Sequence, residues 1–299
     1  MRKLLIATCG LLMAAACSPA AQEEKDIETL KQEIQEELST AEGDFAVAFR
    51  LLDGSGEEIL INEMENFHAA STMKTPVMIE VYKQAAAGKF NVSDSIQVHN
   101  EFKSIVDGSL YSMQLGVDSE EELYDRIGKK ATIYDITYAM IIKSSNLATN
   151  ILIDLIGAES TTQTMRDLGA ADIMVKRGVE DQKAFDQGLN NTTTAYDLMV
   201  IMEAIANGDA VNEEADAEMF DILADQYYRD LIPAYLPENV VVAHKTGFIT
   251  GVQHDSGIIR LPDGRQYVLV LLSKNLANRD QGKEAMARVS KLIYDYVIK

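Results

Sequence analysis

The segments that read as β-strand lie near the two ends of this chain, and the long stretch between them reads as helix. Toward the front, Phe45-Ala-Val-Ala-Phe49 and Glu58-Ile-Leu-Ile61 are short β-type runs joined by Asp53-Gly54-Ser55-Gly56, which predicts a hairpin. Toward the back, Val240 to His244, Val252 to Leu261 and Tyr267 to Ser273 repeat the pattern, the last two separated by Pro262-Asp263-Gly264-Arg265. From about Ser71 to Leu223 the signals are helical, with stops at Gly88, Gly157, Gly169 and Gly208 and a capping box at Thr132-Ile-Tyr-Asp135. Amphipathic helices bracket the whole: Ile27, Leu30, Ile34 and Leu38 at helical spacing in front, and Asp280 to Ile298 behind. Strands at both ends predict one antiparallel sheet flanked by the terminal helices, with an all-α domain inserted, an α+β fold whose chain crosses between domains twice. The expected boundaries are 27–70 and 224–299 for the α/β domain and 71–223 for the all-α domain.

Composition limits what such a fold can do. At 299 residues, 47% hydrophobic and 25% charged, the chain can bury one large core or two modest ones. Forty-seven acidic residues against 27 basic ones give a net charge of −20, which repels phosphate backbones and anionic membranes, so nucleic-acid binding is excluded in the absence of a basic patch. His68, His99, His244 and His254 are scattered without the spacing of a metal site, so neither metal nor cofactor is expected. His244, next to Lys245 on a strand, points to the opposite face and reads as core or rim.

The front of the chain reads as an address. Met1-Arg2-Lys3 precedes an apolar run from Leu4 to Ala16. That run falls short of the roughly 20 residues a membrane-spanning helix needs, and it suits a signal peptide over residues 1–16. Ala14-Ala15-Ala16 before Cys17 resembles a bacterial lipobox, with alanine where leucine is usual three positions ahead of the cysteine. Lipidation of Cys17 is therefore expected, with residues 17–26 as a tether and the protein exported to the periplasm; ordinary cleavage near Ala16 is the alternative. Cys9 leaves with the signal, so no intramolecular disulfide can form and the exported chain, expected to be a monomer, must hold by packing.

Ser71-Thr72-Met73-Lys74 puts a hydroxyl and an amine three residues apart at the start of an apolar helix striped by Val77, Met78, Val81, Tyr82 and Ala85. Pro76 would clash with the carbonyl of Thr72 in a helix interior, so Thr72 belongs to the first turn and Ser71 to its mouth, above the positive end of the helix. Ser-x-x-Lys alone is a weak motif. Further on, Ser144-Ser145-Asn146 interrupts two helical runs, and Lys245-Thr246-Gly247 ends a β run. In that order and at those separations the three resemble the motifs of the class A serine β-lactamases and the wider group of penicillin-recognising serine hydrolases. The resemblance covers about residues 40–299; Phe67 matches the family's aromatic before the serine, and Asn191-Thr192-Thr193-Thr194 resembles the segment that closes its Ω loop.

The resemblance implies a β-lactamase/transpeptidase-like fold and an acyl-enzyme on Ser71. The residues make chemical sense in those roles. A neutral hydroxyl needs a base, which Lys74 can be if burial and the charge of Lys245 lower its pKa. Ser144 can relay a proton to the leaving nitrogen, Asn146 can bind a substrate amide, and Lys245 with Thr246 can bind a carboxylate. Gly247 would let a substrate approach the strand edge. The resemblance also implies an oxyanion hole from the backbone N–H groups of Ser71 and Phe248.

The sequence departs from the family in two places. Ser145 replaces the aspartate of the usual Ser-Asp-Asn. The Ω-loop segment from Lys176 to Asn190 is shortened, so the base for deacylation is not at its usual offset; Arg177 matches the family's arginine, Glu180 is the candidate base, and Asp181 and Asp186 are the fallback carboxylates. Glu120-Glu121-Glu122 reads as a solvated helix start, and Met199 and Met202 as core. Three functions follow: a β-lactamase, a penicillin-binding peptidase or esterase with slow deacylation acting on cell-wall peptides, or a non-catalytic envelope lipoprotein that only binds such ligands.

Overall fold

The computed structural model describes residues 26–299. The signal segment 1–16, Cys17 and the tether up to residue 25 lie outside the described residues. Among those described, no helix is long and apolar enough to cross a membrane.

Helix α1, Ile27–Leu38, is capped by the Asp26 side chain, which accepts from the Thr29 N–H, and leads into β1, Asp44–Leu51, and β2, Glu58–Ile61. The expected hairpin forms there. The chain then leaves the sheet and returns as β3, Val241–Ile249, β4, Val252–Arg260, and β5, Gln266–Lys274, before ending in α9, Arg279–Val297. The five strands form one antiparallel sheet in the order β2-β1-β5-β4-β3, with β1 zipped to β5 from Asp44↔Lys274 to Leu51↔Tyr267.

Strand alternation sorts the core into two layers. Phe45, Val47 and Phe49 of β1, with Leu269 and Leu271 of β5, face α1 and α9, where Leu30, Ile34, Met286, Val289 and Ile293 cover them. Ala46 and Ala48, with Val268, Val270 and Leu272, face the helices of the insertion. The alanines let helices approach that face closely. Those helices are α2, Lys74–Ala86; α3, Ile133–Ile142; α4, Asn146–Ile156; α5, Ala158–Asp167; α6, Gln182–Asp186; α7, Ala195–Asn207; and α8, Glu213–Ala224. Met199 and Met202 of α7 are buried in this layer.

Two expectations change. Lys245-Thr246-Gly247 does not end its strand; β3 runs on to Ile249, because the polar triplet keeps its ladder with Ser256, Asp255 and His254. Between α2 and α3 the chain holds no α-helix but short strand pairs, 95–97 with 130–132 and 102–103 with 110–111, and a single 3₁₀ turn, Tyr124–Arg126. Gly88, Gly108, Gly116 and Gly128, all at positive φ, break any helical run there.

Candidate active site

The nucleophile candidate sits on a tight turn fixed at both ends. Phe67 and His68 pair with Thr193 and Thr192, and the Ala69 N–H donates to the Asn191 carbonyl at 2.9 Å. A 3₁₀ turn over Ala70–Met73 follows and hands over to α2 at Lys74, so Ser71 and Lys74 are one turn apart. Ala70 has φ of 44°, the left-handed region a residue with a Cβ rarely takes. Gly247 of β3 lies against this turn: a Cβ there would stand 2.9 Å from the Ser71 nitrogen and 3.1 Å from that of Thr72. The close approach that requires glycine is therefore by the chain's own Ser71 turn, where the sequence suggested the substrate.

Lys74 is fully buried, and its ammonium donates to the Ser144 carbonyl at 2.6 Å, the Asn146 Oδ1 at 2.9 Å and the Ser144 Oγ at 3.2 Å. Lys245, also fully buried, reaches the same Ser144 Oγ at 3.0 Å and the Thr246 carbonyl at 2.9 Å. Ser144 can offer hydroxyl and carbonyl together because it is left-handed, with φ of 59°, in the bend between α3 and α4. Burial pushes Lys74 down to about 7, against the opposing charges of Asp118 and Glu180. Lys245 is driven well below the ordinary lysine value, first by burial and then by Lys74, with Asp255 opposing.

Glu180 joins this cluster through Asn146, whose Nδ2 donates to the Glu180 Oε1 at 2.7 Å. Its loop is held by Asn150: the Val179 N–H donates to Oδ1 at 2.7 Å and Nδ2 donates to the Val179 carbonyl at 3.1 Å. Gly178 is packed so close that a Cβ would stand 2.5 Å from the Asn150 Oδ1. Arg177 ties the ends of the segment together, donating to the Leu189 carbonyl at 2.9 Å and the Asn190 Oδ1 at 3.1 Å. The fallback carboxylates are engaged elsewhere. Asp181 is buried, caps α6 and accepts from Ser104 and the Ile105 N–H, and the exposed Asp186 accepts from Gln182.

Two cavities of about 400 Å³ and 390 Å³ meet at Ser71, Asn146 and Glu180. One opens toward Ser144, Thr246 and Tyr228; the other runs under the Glu180 loop toward His68 and Phe185. Phe248 lines both, its ring exposed and covered on one side by the Arg279 guanidinium at 4.3 Å. Being the edge strand, β3 leaves alternate backbone N–H groups without a ladder partner on that side.

Sequence reasoning missed Asp118. This buried carboxylate accepts the Asn146 and Leu147 N–H groups, both at 2.8 Å, and the Tyr124 hydroxyl at 3.1 Å. It stands at the start of α4, where Ser145 caps by accepting from the Ala148 N–H. A carboxylate from a distant segment thus serves the end of the helix beside the position where the family usually has aspartate. Glu120 also differs from expectation: it is buried and accepts the Glu122 and Leu123 N–H groups, while Glu121 and Glu122 are exposed. His244 is buried, with its Nδ1 in hydrogen-bond contact with the Asp255 carboxyl at 2.9 Å, facing away from the cleft as its strand position implies. Among the described residues no cluster of His, Cys, Asp and Glu could hold a metal ion.

A five-stranded antiparallel sheet with terminal helices on one face, helices on the other and this cleft between them is the β-lactamase/transpeptidase-like fold. The chain belongs to the β-lactamase enzyme family, whose pattern it matches over residues 29–297. It is 22% identical to the extended-spectrum β-lactamase PER-1 of Pseudomonas aeruginosa over 253 residues, 81% of this chain and 79% of that one. A β-lactamase of Rhodobacter capsulatus is 26% identical over 216 residues, covering 70% of this chain and 68% of its own. Among solved structures, the β-lactamase from Sphaerobacter thermophilus DSM 20745 superposes with a TM-score of 0.77 at 26% identity, covering 92% of this chain and 99% of that one. PBP-A superposes with a TM-score of 0.78 at 25% identity over 92% and 98%, and a PBP-A mutant has been solved as an acyl-enzyme complex with penicillin G.

Proposed function

We propose that this protein is an exported class A-like serine hydrolase that opens β-lactam rings through an acyl-enzyme on Ser71. The reading rests on family membership and, above all, on one observation: two buried lysine nitrogens stand 3.2 Å and 3.0 Å from a single hydroxyl, that of Ser144. At neutral pH a buried Lys74 near pKa 7 is in part an amine. It takes the Ser71 proton as Oγ attacks the lactam carbonyl. The developing oxyanion accepts from the Ser71 and Phe248 N–H groups, a contribution of about 3–4 kcal/mol per donor in comparable sites.

As the C–N bond breaks, the nitrogen receives the Ser144 hydroxyl proton, which Lys74 replaces, so the Ser71 proton ends on the leaving nitrogen. Lys245 and Thr246 bind the substrate carboxylate. The second N–H of Asn146 Nδ2, free of Glu180, donates to the acyl side chain's amide carbonyl. Glu180 then takes a proton from water attacking the ester, and Ser71 leaves with that proton restored.

One observation favours a second reading, a penicillin-binding peptidase or esterase whose acyl-enzyme persists. Glu180 is left-handed on a short loop and bonded to Asn146, and the chain is as similar to PBP-A as to a β-lactamase. Intact mass after exposure to a penicillin, measured beside turnover of a chromogenic cephalosporin, separates the two. Turnover supports the β-lactamase; a stable adduct without turnover supports the peptidase; neither adduct nor turnover removes both. Glu180→Gln should slow deacylation about 100-fold or more and leave the adduct to accumulate, and unchanged turnover would take Glu180 out of the mechanism.

A further inference from the structure

The stretch before Ser71 is held by two imidazoles in series. On β4, His254 is buried and accepts the Ser273 N–H on Nδ1 at 3.2 Å, which leaves its proton on Nε2 to donate to the His68 carbonyl at 2.9 Å. The His68 ring turns forward along its own chain, and its Nδ1 accepts the Ala70 N–H at 3.0 Å. Ala70 is the left-handed residue directly before Ser71. The Ala69 carbonyl closes the turn from the far side, accepting the Thr72 N–H at 3.0 Å and the Thr72 hydroxyl at 2.6 Å, but nothing else described accepts the Ala70 N–H, so its only anchor there is the side chain of His68.

We propose that His68 is a positioning residue for Ser71: its Nδ1, as an acceptor, holds the left-handed turn that aims the nucleophile. The inference rests on the reading of Ser71 as the acylated residue. An acceptor is available only while the ring is neutral, because a protonated imidazole has two donors and sets N–H against N–H. The groups facing the ring are Arg177 from the loop beneath the cleft, Phe185 of α6 edge-on at 6.3 Å, and His254 behind it, with Glu180 and Asp181 lining the same cavity. Burial and then the Arg177 charge hold His68 below the ordinary histidine value. The ring is therefore a neutral acceptor at pH 7, and the device releases only in acid. Protonation of His68 and of Lys74 then act one after the other as pH falls.

Two measurements test this. In the wild-type protein, the Ala70 amide resonance should titrate with the midpoint of the His68 ring, and in His68→Asn that titration should vanish. An Ala70 amide that ignores the ring's titration overturns the proposal. This measurement needs no substrate, so it decides the role of His68 even if penicillin leaves Ser71 untouched, a result that would instead overturn the acyl-enzyme reading.

The second is the acylation rate constant for a penicillin as a function of pH. Its logarithm should fall with slope one below the Lys74 range and slope two below that of His68. His68→Ala should acylate about 10 to 100 times more slowly at pH 7.5, the size of loss a misplaced reacting group produces. His68→Asn, whose Oδ1 occupies the place of Nδ1, should recover about tenfold over the alanine variant and keep slope one throughout. His68→Gln, whose amide reaches the place of Nε2 instead, should not recover. Equal behaviour of the Asn and Gln variants, or wild-type acylation by the Ala variant, would count against the proposal.

Discussion

At the scale of single residues, the cleft is governed by groups denied water. A lysine must lose its proton to act as a base, and Lys74, lowered by burial to about 7, does so near neutrality. Below that value the ammonium form dominates and cannot accept the Ser71 proton. Acylation should therefore rise with pH to a plateau above about pH 7; a flat profile between pH 5 and 8 in stopped-flow measurements would assign the base elsewhere. Gly247 is the other residue whose chemistry is fixed by contact. In Gly247→Ala the new methyl meets the Ser71 and Thr72 nitrogens at 2.9 and 3.1 Å, so the turn must shift. Acylation should drop about 100-fold with a stability loss of about 1–3 kcal/mol, read from adduct formation and denaturant unfolding of the same sample.

At the scale of elements, the site is a meeting of helix starts, a bend and a sheet edge. Asp118 secures the start of α4 by accepting two N–H groups that no helical carbonyl can reach. Asp118→Ala should leave both unpaired in a buried place, at about 1–3 kcal/mol each. Because its charge also supports the ammonium form of Lys74, the acid limb of acylation should move to lower pH in the same variant. A variant with unfolding and pH profile both unchanged would remove Asp118 from this role.

The elements also show why some of the site was legible in the sequence and some was not. Hairpin, back strands and terminal helices follow from local periodicity and turn residues, and Ser71, Lys74, Ser144, Asn146 and Lys245 were identifiable because short fixed spacings carry them. Asp118 and His68 have no such spacing. Asp118 lies in an irregular segment between α2 and α3, and its partners are backbone N–H groups, which every sequence contains. His68 looked like one of several scattered histidines, and its importance appears only when Ala70 adopts its left-handed conformation. The end of β3 was misplaced for a related reason: Lys245 and Thr246 look like a strand terminus until the buried cleft that receives them is known.

At the scale of the whole molecule, the described chain begins at α1 and ends at α9, and both cover the sheet face turned away from the insertion. If Cys17 carries a lipid, Cys17→Ser should move the protein from the membrane to the soluble fraction with catalytic constants intact, because residues 26–299 contain every group of the site. Retention of the serine variant on membranes would rule out that anchor.

The strand order has a consequence for biosynthesis. The strand that joins the front hairpin to the rest of the sheet is β5, the last to leave the ribosome, and Lys245 arrives only shortly before it. An interrupted polypeptide ending anywhere in the helical region would carry Ser71 and Lys74 without a finished sheet to enclose them. If Ser71 is the acylated residue, its reactivity is thus withheld until the last strand of the sheet has emerged, and the nascent helical region stays unarmed until then.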